Sequence, residues 1–138
     1  KKNIKLFKKE NYDLLISSRY LKNSKIINWP ISRKIFSKLS NILAQLVLRV
    51  NVSDYTNGFR IYSTRATERI TKTCGNIGDG FIILSEIIIV IKNNSFKIDE
   101  IETIFVNRSR GESSVNMKLI LESLYGIFKL YFIKNRLN

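Results

Sequence analysis

The run "FIILSEIIIVI" at 81–91 constrains the fold of this chain more than any other stretch. A helix that is apolar nearly all round has to be enclosed by other elements. The run falls short of the ~20 residues that cross a bilayer, and Glu86 interrupts it. It is read as a mostly buried helix over 81–93, ended by "KNN". The chain has 138 residues, the length of one ordinary domain, and its 44% hydrophobic content is enough to build a core around such a helix.

Around that helix the pattern alternates. Residues 1–10 read as the end of a basic helix, and "YDLLISSRY" (12–20) as a buried strand running into a loop. A polar connection, 21–30, ends in the only proline, Pro30, which is placed to open a helix. From Ile31 to about Val50 the apolar residues Ile31, Ile35, Phe36, Leu39, Ile42, Leu43, Leu46, Val47 and Val50 fall at spacings of three and four and define one helix face. "FRIYS" (59–63) reads as a short strand, and "TRATERITKTC" (64–74) as a short helix stopped at Gly75. Residues 96–108 alternate and read as extended, 109–116 form a polar loop, and 117–133 a second amphipathic helix. Strands alternating with helices predict an α/β layered fold. About three strands are visible, fewer than a complete domain of this class carries. With no initiator methionine before "KKN", the expectation is a portion of a larger domain.

The net charge of +13 predicts an anionic partner: nucleic acid, an anionic membrane surface or a phosphate-bearing substrate. Part of it reflects an abundance of Lys, Ile and Asn, as expected of an AT-rich genome. With no histidine and a single cysteine, Cys74, the chain cannot build a Cys/His zinc site, an internal disulfide or a histidine-based triad.

Four polar clusters sit beside strand ends or helix starts: "SSRY" (17–20), "NWPISRKIFS" (28–37), "DYTNGFR" (54–60) and "NRSRGESS" (107–114). They offer Arg19, Arg33, Arg60, Arg108 and Arg110, and arginine's planar fork grips phosphate in two places without losing its charge. Asp54 is the acidic residue with an obvious position among them, suited to a sugar hydroxyl or a metal-bound phosphate. Trp29 reads as a core or loop anchor. None of the clusters is a phosphate-binding P-loop or a dinucleotide fingerprint.

In this order the clusters resemble the family 2 glycosyltransferases of the polyprenyl-phosphate type, of which the dolichyl-phosphate mannosyltransferases are the best-known members. The resemblance rests on "DLLISSRYLK", "NWPISRKIFSKLSNILAQLVLRVNVSDYTNGFRIYSTRA" and "IFVNRSRGESSVNMKLILESL", nearly the whole chain. It implies a GT-A fold, a mixed sheet flanked by helices, of which 1–138 would be the C-terminal portion. The implied activity is inverting transfer of a sugar from a nucleotide donor (GDP-mannose or a UDP-sugar) to a polyprenyl or dolichyl phosphate. By the same resemblance Arg19, Arg33 and Ser37 would bind the acceptor phosphate, Asp54 would be catalytic, and Arg108 would bind the donor diphosphate. Asn57, Arg60, Glu86, Arg110 and Ser113 would line the site. Asn57 stands where the family's motif has Ser or Thr, Ser114 replaces a lysine, and "EIE" at 100–102 replaces Glu-Val-Pro.

No Asp-x-Asp occurs in the chain. The resemblance puts that motif, and the Mg or Mn ion it holds, in a preceding nucleotide-binding half, so this portion alone is expected to be inactive. It also implies a cytoplasmic protein peripheral to the inner face of a membrane. The basic, aromatic-rich last helix either rests at that surface or packs on the sheet. The alternatives are a family 2 transferase acting on a cell-surface polysaccharide, an inactive fragment, and a basic nucleic-acid-binding module. The last is disfavoured because most aromatics fall at helix-periodic apolar positions. No nucleic-acid partner is expected.

Overall fold

The computed structural model describes residues 2–78, 80–107 and 117–137, leaving aside the side chains of 117–120 and 123. Helix α1 (Lys2–Lys9) leads into strand β1 (Leu14–Ser18). A turn then precedes β2 (Lys25–Ile27), helix α2 (Ile31–Leu48), β3 (Arg60–Tyr62) and α3 (Thr64–Thr73). They are followed by α4 (Ile82–Asn93), β4 (Ile98–Glu102), β5 (Ile104–Val106), α5 (Met117–Ile133) and a 3-10 turn at Lys134–Arg136. The fold is α/β, with a mixed sheet flanked by helices.

β1 is the centre of a three-stranded sheet in the order β3-β1-β4. It runs antiparallel to β3 and parallel to β4, with Leu14 opposite both Tyr62 and Ile98. All five of its residues are buried, as expected of a strand covered on both faces. β2 and β5 pair in parallel as a second, two-stranded sheet. β4 and β5 are separated by Thr103 alone, whose carbonyl accepts from Lys25 N at 2.9 Å. One extended segment thus pairs first with β1 and then with β2, and the turn at 19–24 stands out from it. β2 escaped the sequence reading of 21–30 as a connection. It has three residues, two of them exposed, and carries no burial signal.

Helix α4 is buried as its composition demands, with Ile82, Ser85, Glu86 and 87–91 all enclosed. It meets α5 at close range: a Cβ on Gly126 would lie 2.7 Å from Ile82 Cγ1 and 3.2 Å from Ile82 Cβ. That separation sets the crossing, and glycine is the residue that permits it. Gly75, at φ +105°, turns the chain after α3, in agreement with the expected stop.

Helix α2 behaves differently. Its periodicity is right, but its apolar face is not its buried face. Ile31 (76% exposed), Ile35, Phe36, Leu39, Ile42 and Leu46 (69%) face outward. Asn41, Ala44 and Leu48 are buried instead. Asn41 is inside because it donates to Ser37 O at 2.7 Å and accepts from Tyr55 N at 2.6 Å, tying the helix to the 54–57 turn. α5 is split in the same way. Ile127 and Leu130 enter the core, while Tyr125 (74%), Phe128, Tyr131 and Phe132 (78%) are exposed. The expectation that helix-periodic aromatics lie inside is corrected here, because periodicity fixes a face without saying what covers it. Between α2 and α5 runs an apolar groove of about 430 Å³ lined by Phe36, Leu39, Leu43, Leu46, Leu121 and Leu124.

Candidate functional site

The polar residues converge at the C-terminal end of β1, the end at which open α/β sheets hold their ligands. Arg19 follows β1 directly and is buried against Asp54. Its Nε and Nη2 donate to the two carboxylate oxygens at 2.8 and 2.7 Å, and its backbone N–H adds a third bond at 2.9 Å. Nη2 also reaches Thr56 Oγ1 at 2.7 Å. Asp54 Oδ1 accepts further from the backbone N–H groups of Asn57 and Thr56. Burial alone would lower the Arg19 pKa, but the Asp54 carboxylate outweighs it and the guanidinium is held more firmly charged.

The motif that supplies Asp54 is itself braced. Glu100, on β4, accepts from Ser53 N at 2.7 Å, Ser53 Oγ at 3.0 Å and Asp54 N at 3.0 Å. Asn57 Nδ2 donates to Ser17 O, and Asn57 Oδ1 accepts from Phe59 N. An amide bridges both neighbours, which a Ser or Thr hydroxyl at that position is too short to copy. Arg60 donates to the carbonyls of Asn57, Leu84 and Tyr55 at 2.8–2.9 Å, so it fastens the turn to α4. Burial lowers its pKa.

Arg33 is in another situation. It lies in the first turn of α2, where no acidic residue is present and Pro30 provides no side-chain cap. Its guanidinium lies 4.1 Å from the centre of the Trp29 ring, and among the described residues its side chain makes one hydrogen bond, a long one of 3.4 Å to Asn107 Oδ1. Among the described residues no carboxylate pairs with it. Burial first, and the charge of Arg19 second, lower its pKa. Ser37, one turn on, accepts from the Tyr20 hydroxyl at 2.6 Å. Burial raises the pKa of that Tyr20 hydroxyl.

The structure therefore brings Arg19, Arg33, Ser37, Asp54 and Asn57 into one cluster, with Arg60 as its tie to α4. Asp54, expected from the resemblance to be catalytic, lies in the interior beside Arg19. It is fully buried, and both of its oxygens are filled by Arg19 and backbone donors. Glu86 stands apart from the cluster. Its Oε2 accepts from Gly75 N at 3.0 Å, Oε1 is buried without a hydrogen-bond partner among the described residues, and burial raises its pKa. Nearby Cys74 is pushed up to about 12 by burial and by the Glu86 charge, so it is a thiol and no nucleophile. Arg108, Arg110 and Ser113 lie outside the described residues. The sequence reading missed Glu100, Asn41, Tyr20 and Thr56, whose roles depend on which backbone they meet. It noticed Trp29 but read it as an anchor.

Two curated relatives cover most of this chain. A polyprenol monophosphomannose synthase from Mycolicibacterium smegmatis (strain ATCC 700084 / mc(2)155) is 29% identical over 126 residues, 91% of this chain and 47% of that protein. A dolichol-phosphate mannosyltransferase from Pyrococcus furiosus (strain ATCC 43587 / DSM 3638 / JCM 8422 / Vc1) is 34% identical over 124 residues, 88% of this chain and 34% of that protein. Over about nine tenths of its length the chain is similar to dolichyl-phosphate mannosyltransferase-like family 2 glycosyltransferases. It spans between a third and a half of the length of these relatives. No family model matches it. For a dolichyl-phosphate mannosyltransferase-like chain the mixed α/β sheet is the expected GT-A type of architecture. The arginine cluster lies on the segments that carried the resemblance.

Proposed function

We propose that this chain forms the acceptor side of a polyprenyl-phosphate mannosyltransferase, which moves a sugar from a nucleotide donor to the phosphate of a membrane polyprenol. The observation that carries this is the pairing, on one helix, of an uncompensated cation with an apolar surface. Arg33 opens α2 without a carboxylate partner among the described residues. The outward stripe of the same helix then runs from Ile31 to Leu46. An amphiphile with an anionic head and a hydrocarbon tail matches both ends.

Arg33, the Ser37 hydroxyl and the free N–H groups of the first turn of α2 would hold the phosphate. Arg19 would add its charge from below, fixed by Asp54. A phosphate monoester is largely ionised near neutral pH, so its oxygen needs no strong base to attack the anomeric carbon. Attack opposite the departing nucleotide diphosphate inverts the configuration. This chain would then contribute position and charge stabilisation. The residues described here do not fit a Mg or Mn ion, because the Asp54 carboxylate is filled by Arg19 and backbone donors.

The exposed stripe of α2 and the aromatics of α5, flanked by Lys34, Lys38, Lys129 and Lys134, favour a peripheral position at an anionic, cytoplasmic membrane face. No described helix is long and apolar enough to cross a membrane. The mixture of exposed Leu and Ile with aromatics suits lipid better than nucleic acid, where stacking rings would dominate.

The test is transfer of mannose from GDP-mannose to a polyprenyl phosphate by the enzyme carrying this segment. Arg33→Ala should cut transfer about a hundredfold or more, the scale of losing one preorganised charge donor. Binding of GDP-mannose should be unaffected. Undiminished transfer by the variant would overturn the assignment.

A further inference from the structure

We infer that Trp29 is the positioning residue of the anion site: its indole face holds the Arg33 guanidinium beside the Arg19 guanidinium, so that the two cations meet one phosphate together. The inference rests on the acceptor-site reading and adds a residue to it.

Three elements meet at this ring. Trp29 comes from the loop before α2, Phe105 from β5, and Arg19 and Tyr20 from the turn after β1. Phe105 packs edge-on to Trp29, with centroids 5.3 Å apart and the planes at 74°. Arg19 lies 5.2 Å from the Trp29 ring centre and within 5.9 Å of Tyr20 and Phe105 as well, while Arg33 lies 4.1 Å from Trp29. One indole thus serves two guanidinium groups.

The two cations differ in what else holds them. Asp54 fixes Arg19. Among the described residues Arg33 has the 3.4 Å contact to Asn107 and the ring. Two like charges repel; Asp54 offsets Arg19 on its own side, and on the side of Arg33 the ring is what opposes the repulsion among the described residues. The negative face of an aromatic ring holds Arg33 without neutralising it, so that charge stays available to an anion beside Arg19, which Asp54 already pairs. A carboxylate in the same place would cancel the charge that the site needs.

The indole N–H is also informative. Trp29 is 7% exposed, and its Nε1 is buried with no hydrogen-bond partner among the described residues. A buried tryptophan ordinarily finds a partner for that donor. A phenylalanine or leucine would fill the space without an orphaned donor, so packing alone does not account for tryptophan. The large ring, wide enough for two cations, does.

Trp29 is the only tryptophan in this chain, which makes it its own reporter. In calorimetry with farnesyl phosphate as probe, Trp29→Leu should bind about tenfold more weakly than the natural protein, the size of a partly desolvated cation–π contact. Trp29→Phe keeps a smaller aromatic face and should recover part of the loss. In steady-state transfer the same variants should raise KM for the lipid phosphate while kcat changes little. Farnesyl phosphate, and not farnesol, should shift the emission of Trp29. Wild-type affinity in Trp29→Leu, or a Trp29→Phe variant as weak as Trp29→Leu, overturns the inference. If Trp29→Leu does not fold, Trp29→Phe and the emission decide, and an emission unmoved by farnesyl phosphate overturns it. Should Arg33→Ala bind farnesyl phosphate as the natural protein does, the acceptor-site reading itself falls. A normal Trp29→Leu with a defective Arg33→Ala removes only the role of the tryptophan.

Discussion

The two ends of β1 each carry an aspartate–arginine pair, and the pairs are built differently. At the start of the strand Asp13 is buried and Arg65 is largely exposed, with side chains 2% and 63% accessible. Asp13 also accepts from Ser63 Oγ at 2.7 Å and Lys97 N at 2.9 Å, so one carboxylate gathers β1, the start of α3 and the start of β4. At the far end both partners are enclosed, Arg19 at 6% and Asp54 at 0%. There a second arginine, Arg33, stands close by without an acid of its own among the described residues. The first end is a latch, with charges matched and solvent nearby. Among the described residues the second end has a surplus of positive charge, organised by buried groups, and a fold gains nothing from an unmatched cation. That surplus marks the end where an anion is expected.

The comparison can be broken most severely at Asp54. Asp54→Ala strands the Arg19 guanidinium in the interior, and the expected loss is about 3–5 kcal/mol in a urea melt. A loss as small as that of an exposed pair would remove the distinction between the two ends. Asp13→Ala should cost less, about 1–3 kcal/mol, because Arg65 can turn to water while the Ser63 and Lys97 donors lose a partner.

The latch should also show a particular acid dependence. Burial alone would raise the Asp13 carboxyl, but Arg65, the Lys97 backbone and Ser63 overcome it and hold it below its ordinary 3.8. Its contribution is then fully present above the unfolded value and is lost as pH falls through the lower folded value. Asp13→Asn should flatten that part of an acid titration followed by circular dichroism, and an unchanged acid limb would contradict the assignment.

The finest contrast lies between the two arginines outside the buried pair. Arg33→Ala relieves repulsion with Arg19 and should leave the melting temperature unchanged or slightly higher while transfer collapses. Arg65→Ala should lower the melting temperature slightly, less so in high salt, and leave transfer intact. Finding the two effects interchanged would mean that the latch and the site have been assigned to the wrong ends.

The sequence made the elements legible where burial is complete. β1 reads as a strand because all its residues are enclosed, and α4 reads as a buried helix because it is apolar on every side. At α2 the helix and its apolar face were legible, and which side the core takes was not, for a physical reason. A stripe of Ile, Leu and Phe at helical spacing says that some apolar surroundings exist, and here the core takes the side bearing Asn41, Ala44 and Leu48. The arginines of the site were legible as clusters. Their inequality was not, since it depends on Asp54 reaching Arg19 and on no acid among the described residues reaching Arg33. Glu100 gave no signal, because a carboxylate that accepts from two backbone N–H groups looks the same in sequence as one in water.

The outward stripe of α2 has a kinetic consequence. A protein that rests on a leaflet through that stripe and receives its acceptor by the headgroup does not extract the lipid. Both partners then diffuse in two dimensions, and what limits the encounter is the mole fraction of acceptor in the surface. Diluting the acceptor with inert lipid at constant bulk concentration should slow the reaction, whereas diluting the vesicles with buffer, once the protein is adsorbed, should hardly change it.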